Sequence, residues 1–268
     1  MEKSHRTLVQ ALGLGPREHV ALVGGGGKTT LLFTLAEELK QAGRHLVTSC
    51  TTKLWHREAC TAPTVLFTEK DPAWRAKIKE VFKTGGYVFL ARDLLQTGKV
   101  KGISPSLADE LFQDTAIDYL ILEADGAAGH PVKAPSEHEP VIPGSATKVI
   151  AMLGVEALGR RLEPSMAFRI DLVSKLTGVP PGERLVPSAV VRLFLNHEGL
   201  FKGSPDGAHR IVFLNKLDLL KERGIAKELA SVILEKGQGK IERVVMGSVE
   251  GGEYEVLRGR SENNGIDL

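Results

Sequence analysis

Gly24–Gly27 followed by Lys28, Thr29 and Thr30 are the residues of this sequence best suited to grip an anion. Glycines let a backbone bend tightly and turn its N–H groups inward on a phosphate. A helix opening at Lys28 adds free N–H groups and the positive end of its dipole. Lys28 can reach the β- and γ-phosphates of a nucleotide, and the Thr29 hydroxyl can ligate Mg²⁺. The common form of this loop carries glycine where this chain has Leu22. A glycine run before lysine also serves as a plain helix-capping turn, so the flanking elements must decide. An apolar run from His19 to Val23 reads as a strand, and an apolar period from Leu31 to Leu39 reads as a helix.

A second group, Glu123 and Asp125 before Gly126, closes the apolar run 118–122. Such a run predicts a buried, parallel strand. A carboxylate at its end can hold a hydrated Mg²⁺ opposite Thr29, and the Gly126 amide can approach the γ-phosphate. Lys28, Glu123 and Asp125 are therefore the expected catalytic set, with Thr29, Glu123 and Asp125 around the metal. The plainer alternative is that both acids cap a loop.

A third group ends another apolar run, 211–214, as Asn215-Lys216-Leu217-Asp218. Asp218 can accept the N1–H and 2-amino hydrogens of guanine, a donor pair that adenine lacks. A wrong base would leave the buried acid unpaired, so the discrimination can be large. The stem of Lys216 can cover the base, and Asn215 can pin neighbouring loops. The alternative is Asp218 as N-cap of a helix over 219–234.

Weaker candidates for substrate or partner contact are Thr51, Thr52 and Lys53 at the end of a strand over 46–50, and His130, Lys133 and His138 in the polar, proline-rich run 129–140. That run has no apolar period and reads either as a switch segment sensing the γ-phosphate or as a solvated connector. Cys50, His56 and Cys60 make a thin metal pattern against an ordinary buried Cys50 and a semi-exposed Cys60.

The elements needed to position these groups are legible. Strands are expected near 19–23, 46–50, 64–67, 87–91, 118–123, 148–154, 211–215 and 241–246, with helices near 7–14, 28–42, 71–82, 106–112, 169–176, 188–196 and 219–234. Alternating strands and helices predict an α/β fold with a mostly parallel sheet. The 268 residues suit one nucleotide-binding domain over 1–258, with a small helical insert at about 156–205 and a frayed tail over 259–268. Hydrophobic residues at 42% and a net charge of +2 fit a globular chain and argue against nucleic acid or an anionic membrane as partner. With no signal core behind the polar N-terminus, the expected compartment is the cytoplasm.

The order of the three groups is that of phosphate-loop GTPases. Glu123-Ala124-Asp125-Gly126 resembles the E-x-x-G of the SIMIBI class, the P-loop NTPase group that includes metallocentre-assembly GTPases, although Val23 stands where its loop carries a first lysine. A short loop of similar form occurs in Mur-type ligases, so ATP stays open beside GTP. Over residues 20–250 the chain is similar to the YqeC family, on Val23–Thr30, Thr51–Lys53, Leu122–Ala127, the stretch 129–143 and Asn215–Asp218. The resemblance implies a P-loop NTPase-like three-layer sandwich and a cytoplasmic accessory role in maturing a selenium-containing molybdenum cofactor or its hydroxylase. The expected cofactors are Mg²⁺ with GTP or ATP. The expected partners are the nucleotide, a protein of molybdenum-hydroxylase maturation and a second copy of the chain. Without an evident Gln or Arg finger, turnover should be slow and partner-stimulated. The competing reading is an ATP-dependent ligase or kinase acting on a small acidic substrate.

Overall fold

The computed structural model describes residues 3–259. One large sheet runs through it. Its strands in chain order are β1 (Lys3–His5), β2 (Glu18–Gly24), β3 (Leu46–Cys50), β4 (Thr64–Phe67), β5 (Val88–Ala91), β6 (Tyr119–Glu123), β7 (Lys148–Gly154), β8 (His209–Asn215), β9 (Arg243–Ser248) and β10 (Glu253–Arg258). Across the sheet the order is β1-β10-β9-β8-β7-β2-β6-β3-β5-β4. Every pairing from β9 to β4 is parallel, and β10 and β1 close one edge antiparallel.

Parallel strands are covered on both faces, and their side chains divide accordingly. On β2, Val20 and Leu22 point into one core while Ala21 and Val23 point into the other. On β8, Ile211 and Phe213 split from Val212 and Leu214 in the same way. Helices α1 (Leu8–Leu12) and α2 (Lys28–Gln41) cover the first face. A four-residue helix, α3 (His56–Ala59), adds Ala59 to that core. The second face carries α4 (Trp74–Lys83), α5 (Pro105–Gln113), α6 (Ile170–Thr177), α7 (Pro187–Leu195) and α8 (Arg223–Gly237). The result is the three-layer α/β sandwich expected of a P-loop NTPase-like chain.

Burial explains why the glycine turn holds. Helix α2 starts at Gly27 without a side-chain cap, a device worth about 1 kcal/mol. Leu31, Leu32, Leu35 and Leu39 are all buried beneath it. At roughly 1.5–3 kcal/mol for each fully buried side chain, packing outweighs the missing cap.

Some expectations change. The helix after Asn215 starts at Arg223, not Leu219, with Glu222 at its N-cap. Residues Leu217–Leu219 form a single 3-10 turn, so Asp218 caps no helix. The run 129–140 is no solvated connector. Val132, Lys133, Ala134 and Pro135 are buried, and Val132–Lys133 pairs in parallel with Ala167–Phe168. The segment between β7 and β8 does carry α6 and α7. Two features were unforeseen: the antiparallel edge of β10 and β1, and a three-stranded sheet of Lys53–Trp55, Lys99–Lys101 and Asp93–Leu94. The tail expected over 259–268 lies, from residue 260 on, outside the described residues.

Candidate functional site

The glycine turn joins the end of β2 to α2 at the carboxyl edge of the sheet. Its backbone is fixed from behind. Gly24 donates its amide to Asp125 Oδ2 at 3.0 Å, Gly25 to the Met152 carbonyl at 3.0 Å, and Gly26 to the His130 carbonyl at 2.9 Å. These three amides are spent on structure, which corrects the expectation that Gly24–Gly26 would turn theirs on a phosphate. The open donors are one step further on. Lys28, Thr29 and Thr30 form the first turn of α2, where amides have no intrahelical acceptor. Gly26, Gly27, Lys28, Thr29 and Thr30 all line a cleft of about 940 Å³, whereas Gly24 and Gly25 do not. Neither Gly26 (φ +81°) nor Gly27 (φ +114°) has room for a side chain.

Lys28 is buried. Its ammonium folds back onto the Gly24 carbonyl at 2.6 Å and onto Asp125 Oδ1 at 3.1 Å. Burial alone would depress its pKa, but Asp125 and Glu123 outweigh that and raise it. Lys28 therefore stays charged in its pocket. The Thr29 hydroxyl donates to Glu123 Oε1 at 2.6 Å. Burial pushes the Glu123 carboxyl up, against the opposing pull of Lys28 and Thr29.

A hydroxyl and a carboxylate in contact on the cleft wall form a donor set that fits Mg²⁺, an ion that takes one or two protein oxygens and completes its shell with water and phosphate. Glu123 lines the cleft with Thr29. Asp125 is not among the cleft-lining residues. Its side chain is fully buried and engaged by Gly24, Lys28 and Lys133, so the expected metal role does not match its placement, whereas its hold on Lys28 does. Among the described residues, no three His, Cys, Asp or Glu side chains are grouped to hold a metal. Cys50 is buried at the end of β3, and exposed Cys60 sits 3.5 Å from His56.

Asp125 also begins a chain of charges that leads away from the loop. Lys133, with no exposed side-chain surface, contacts Asp125 Oδ2 at 3.0 Å, Glu139 Oε2 at 2.7 Å and the Gly126 carbonyl at 2.8 Å. Arg169, in left-handed backbone just before α6, holds Glu139 with both terminal guanidinium nitrogens. Burial would raise the Glu139 carboxyl, but hydrogen bonds from Arg169 and Lys133 bring it below its ordinary value. Lys133 is thus committed inside the protein and presents nothing to a partner. His138 is exposed and is not among the residues that line the cleft.

On the other side of the loop, Asn215 donates to the Gly26 carbonyl at 2.8 Å and accepts from the Val249 amide at 3.0 Å. It ties the glycine turn to the loop after β9. Lys216 lines the cleft and pairs with Glu156. Asp218 is exposed.

Thr51, Thr52 and Lys53 line the opposite end of the cleft. With them come residues that sequence reasoning missed: Trp55, Arg57, Arg92, Lys99, Lys101 and Arg169. The alternation Lys53-Leu54-Trp55 and Lys99-Val100-Lys101 was the available signal, since period two separates a wet face from a buried one. Three of these residues are arginines, of which Arg92 is held by Glu69 and Arg169 by Glu139.

A family model described as YqeC protein matches residues 20–171. The chain is also 33% identical over 246 residues to the "Uncharacterized protein YqeC" of Escherichia coli (strain K12), across 91% of this chain and 92% of that one. No helix among the described residues is long and apolar enough to cross a membrane.

Proposed function

The chain belongs to the YqeC family, and from that premise we propose that it is a Mg²⁺-dependent nucleotide-binding protein that favours GTP and works as a slow NTPase switch. One observation carries this reading: Thr29 and Glu123 meet at 2.6 Å beside a lysine and a set of open helix amides, all facing one cleft. The amides of Lys28–Thr30 and the Lys28 ammonium would hold the phosphates, the ammonium leaving the Gly24 carbonyl to do so. Thr29 and Glu123 would hold Mg²⁺, which supplies charge neutralisation along the phosphates. Asp125 would keep Lys28 charged and aimed. Asn215 would fix the base-side loops, and exposed Asp218 would accept from guanine. We place the switch in the cytoplasm, assisting maturation of a selenium-containing molybdenum cofactor or its hydroxylase. Family membership alone supports that last step.

Thermal-shift titration with GTP and ATP, each with Mg²⁺ or with chelator, tests the nucleotide part. The expected result is a Mg²⁺-dependent rise in Tm, larger for GTP. Negligible shifts with both overturn it, and a preference for ATP overturns only the assignment to guanine. Loss of selenium-dependent molybdenum hydroxylase activity on deleting the gene is expected if the cellular role holds; unchanged activity removes it.

An ATP-dependent ligase or kinase is the second reading. The cationic wall at the Thr51–Lys53 end of the cleft favours it, because an acidic acceptor would be drawn there. Product analysis with candidate acceptors separates the two: phosphate transferred to an acceptor marks the ligase or kinase, and hydrolysis alone marks the switch.

A further inference from the structure

The three-stranded sheet beside the cleft has a buried face and a charged one. Lys53 pairs across the strands with Lys101, Leu54 with Val100, and Trp55 with Lys99. Leu54 and Val100 are buried, so the alternate residues Lys53, Trp55, Lys99 and Lys101 share the outer face, and all four line the cleft. Trp55 is a large hydrophobic residue left 42% exposed. Two cations sit against its indole, Lys99 at 4.6 Å and Arg57 at 5.5 Å from the ring centre. Among the described residues, no carboxylate forms an ion pair with Lys53, Arg57 or Lys99, while Lys101 has Asp93 opposite it on the third strand. Like charges directly opposite on antiparallel strands are unfavourable, and an open tryptophan forgoes burial. Both costs fall if an anion with an attached ring rests on this face.

The sheet order gives this face its place. Asn215 ends β8, two strands from β2 on one side, and Thr51 follows β3, two strands from β2 on the other. A nucleotide with its base toward Asn215 and its phosphates on α2 points its terminal phosphate at the Lys53–Lys101 face. That orientation rests on the nucleotide reading above; the binding face itself does not.

We propose that the outer face of Lys53, Trp55, Lys99 and Lys101 is a second binding site, for a small molecule that joins a phosphate to a planar ring. The ring stacks on Trp55 and the phosphate bridges Lys53 and Lys101. Losing either the stacking or the charged contacts should weaken binding by at least tenfold, which is measurable.

Flavin mononucleotide serves as a probe because its emission is quenched when the ring stacks on tryptophan. Saturable quenching without added nucleotide is expected. Riboflavin, which lacks the phosphate, and ribose 5-phosphate, which lacks the ring and is followed by competition, should bind at least tenfold more weakly. Trp55→Ala and the pair Lys53→Ala/Lys101→Ala should each weaken the probe at least tenfold. Lys53→Ala alone should not lower Tm, because it removes a repulsion and leaves Lys101 opposite Asp93. Thr29→Ala should leave the probe bound, which separates this site from the glycine loop and its failure from that of the nucleotide reading. No saturable quenching, binding indifferent to the lysine pair, or binding lost in a folded Thr29→Ala variant overturns the proposal.

Discussion

At the scale of single residues, the contact between Thr29 and Glu123 makes the sharpest demand. Burial raises the Glu123 carboxyl, so it takes up a proton at a higher pH than an ordinary glutamate. A protonated carboxyl cannot ligate Mg²⁺. Affinity for Mg²⁺–GTP should therefore weaken on acidification, the loss setting in at a higher pH than an ordinary glutamate would give. Glu123→Gln removes the titrating group and one charged ligand. Charged contacts contribute about 1.5–3 kcal/mol, so affinity should drop roughly ten- to hundredfold. The remaining affinity should lose its acidic limb. Calorimetric titration from pH 5 to 8 reads both effects, and a variant that keeps the wild-type limb would assign the titration elsewhere.

At the scale of elements, the strand–turn–helix unit depends on glycine for two separable reasons. Gly26 has φ +81°, and a Cβ there would lie 2.1 Å from the backbone nitrogen of Gly154. Gly43, after α2, has a similar φ of +70° but nothing within 4 Å of its Cβ position. Gly43→Ala should cost only the left-handed backbone penalty, about 1–2 kcal/mol. Gly26→Ala should cost that plus the overlap, which adds about 1–3 kcal/mol because the obstructing atom is backbone of β7. Urea melts of the two variants isolate the steric part as their difference. The elements that were legible are those with this kind of local signature. Strands β3, β4 and β7 lie where their apolar runs end, and α2 lies where its leucines repeat. What stayed hidden was set by pairing at a distance. Lys53–Trp55 is too short to read as a strand until Lys99–Lys101 lies beside it. Val132 and Lys133 look like part of a polar loop until Ala167–Phe168 covers them. Asp125 looks like a metal ligand until Lys133, eight residues on, turns back onto it.

At the scale of the whole molecule, the buried charges Lys28, Asp125 and Lys133 and the half-buried Glu139 and Arg169 join the glycine loop, the end of β6, the strap at 132–139 and the start of α6. Each charge is tolerated because its neighbours carry the opposite sign. Removing an inner member should thus cost more than removing a matched pair. Lys133→Met leaves Asp125 with Lys28 alone and strips Glu139 of its buried partner. Breaking a buried ion pair from one side costs about 3–5 kcal/mol. The double variant Lys133→Met/Glu139→Gln removes one charge of each sign, leaving Asp125 on Lys28 and Arg169 at its more exposed end of the chain. It should unfold at a higher urea concentration than Lys133→Met alone, a positive coupling in a double-mutant cycle. If the two changes simply add, Lys133 and Glu139 are not energetically joined. The path from the glycine loop to α6 would then be a matter of proximity alone.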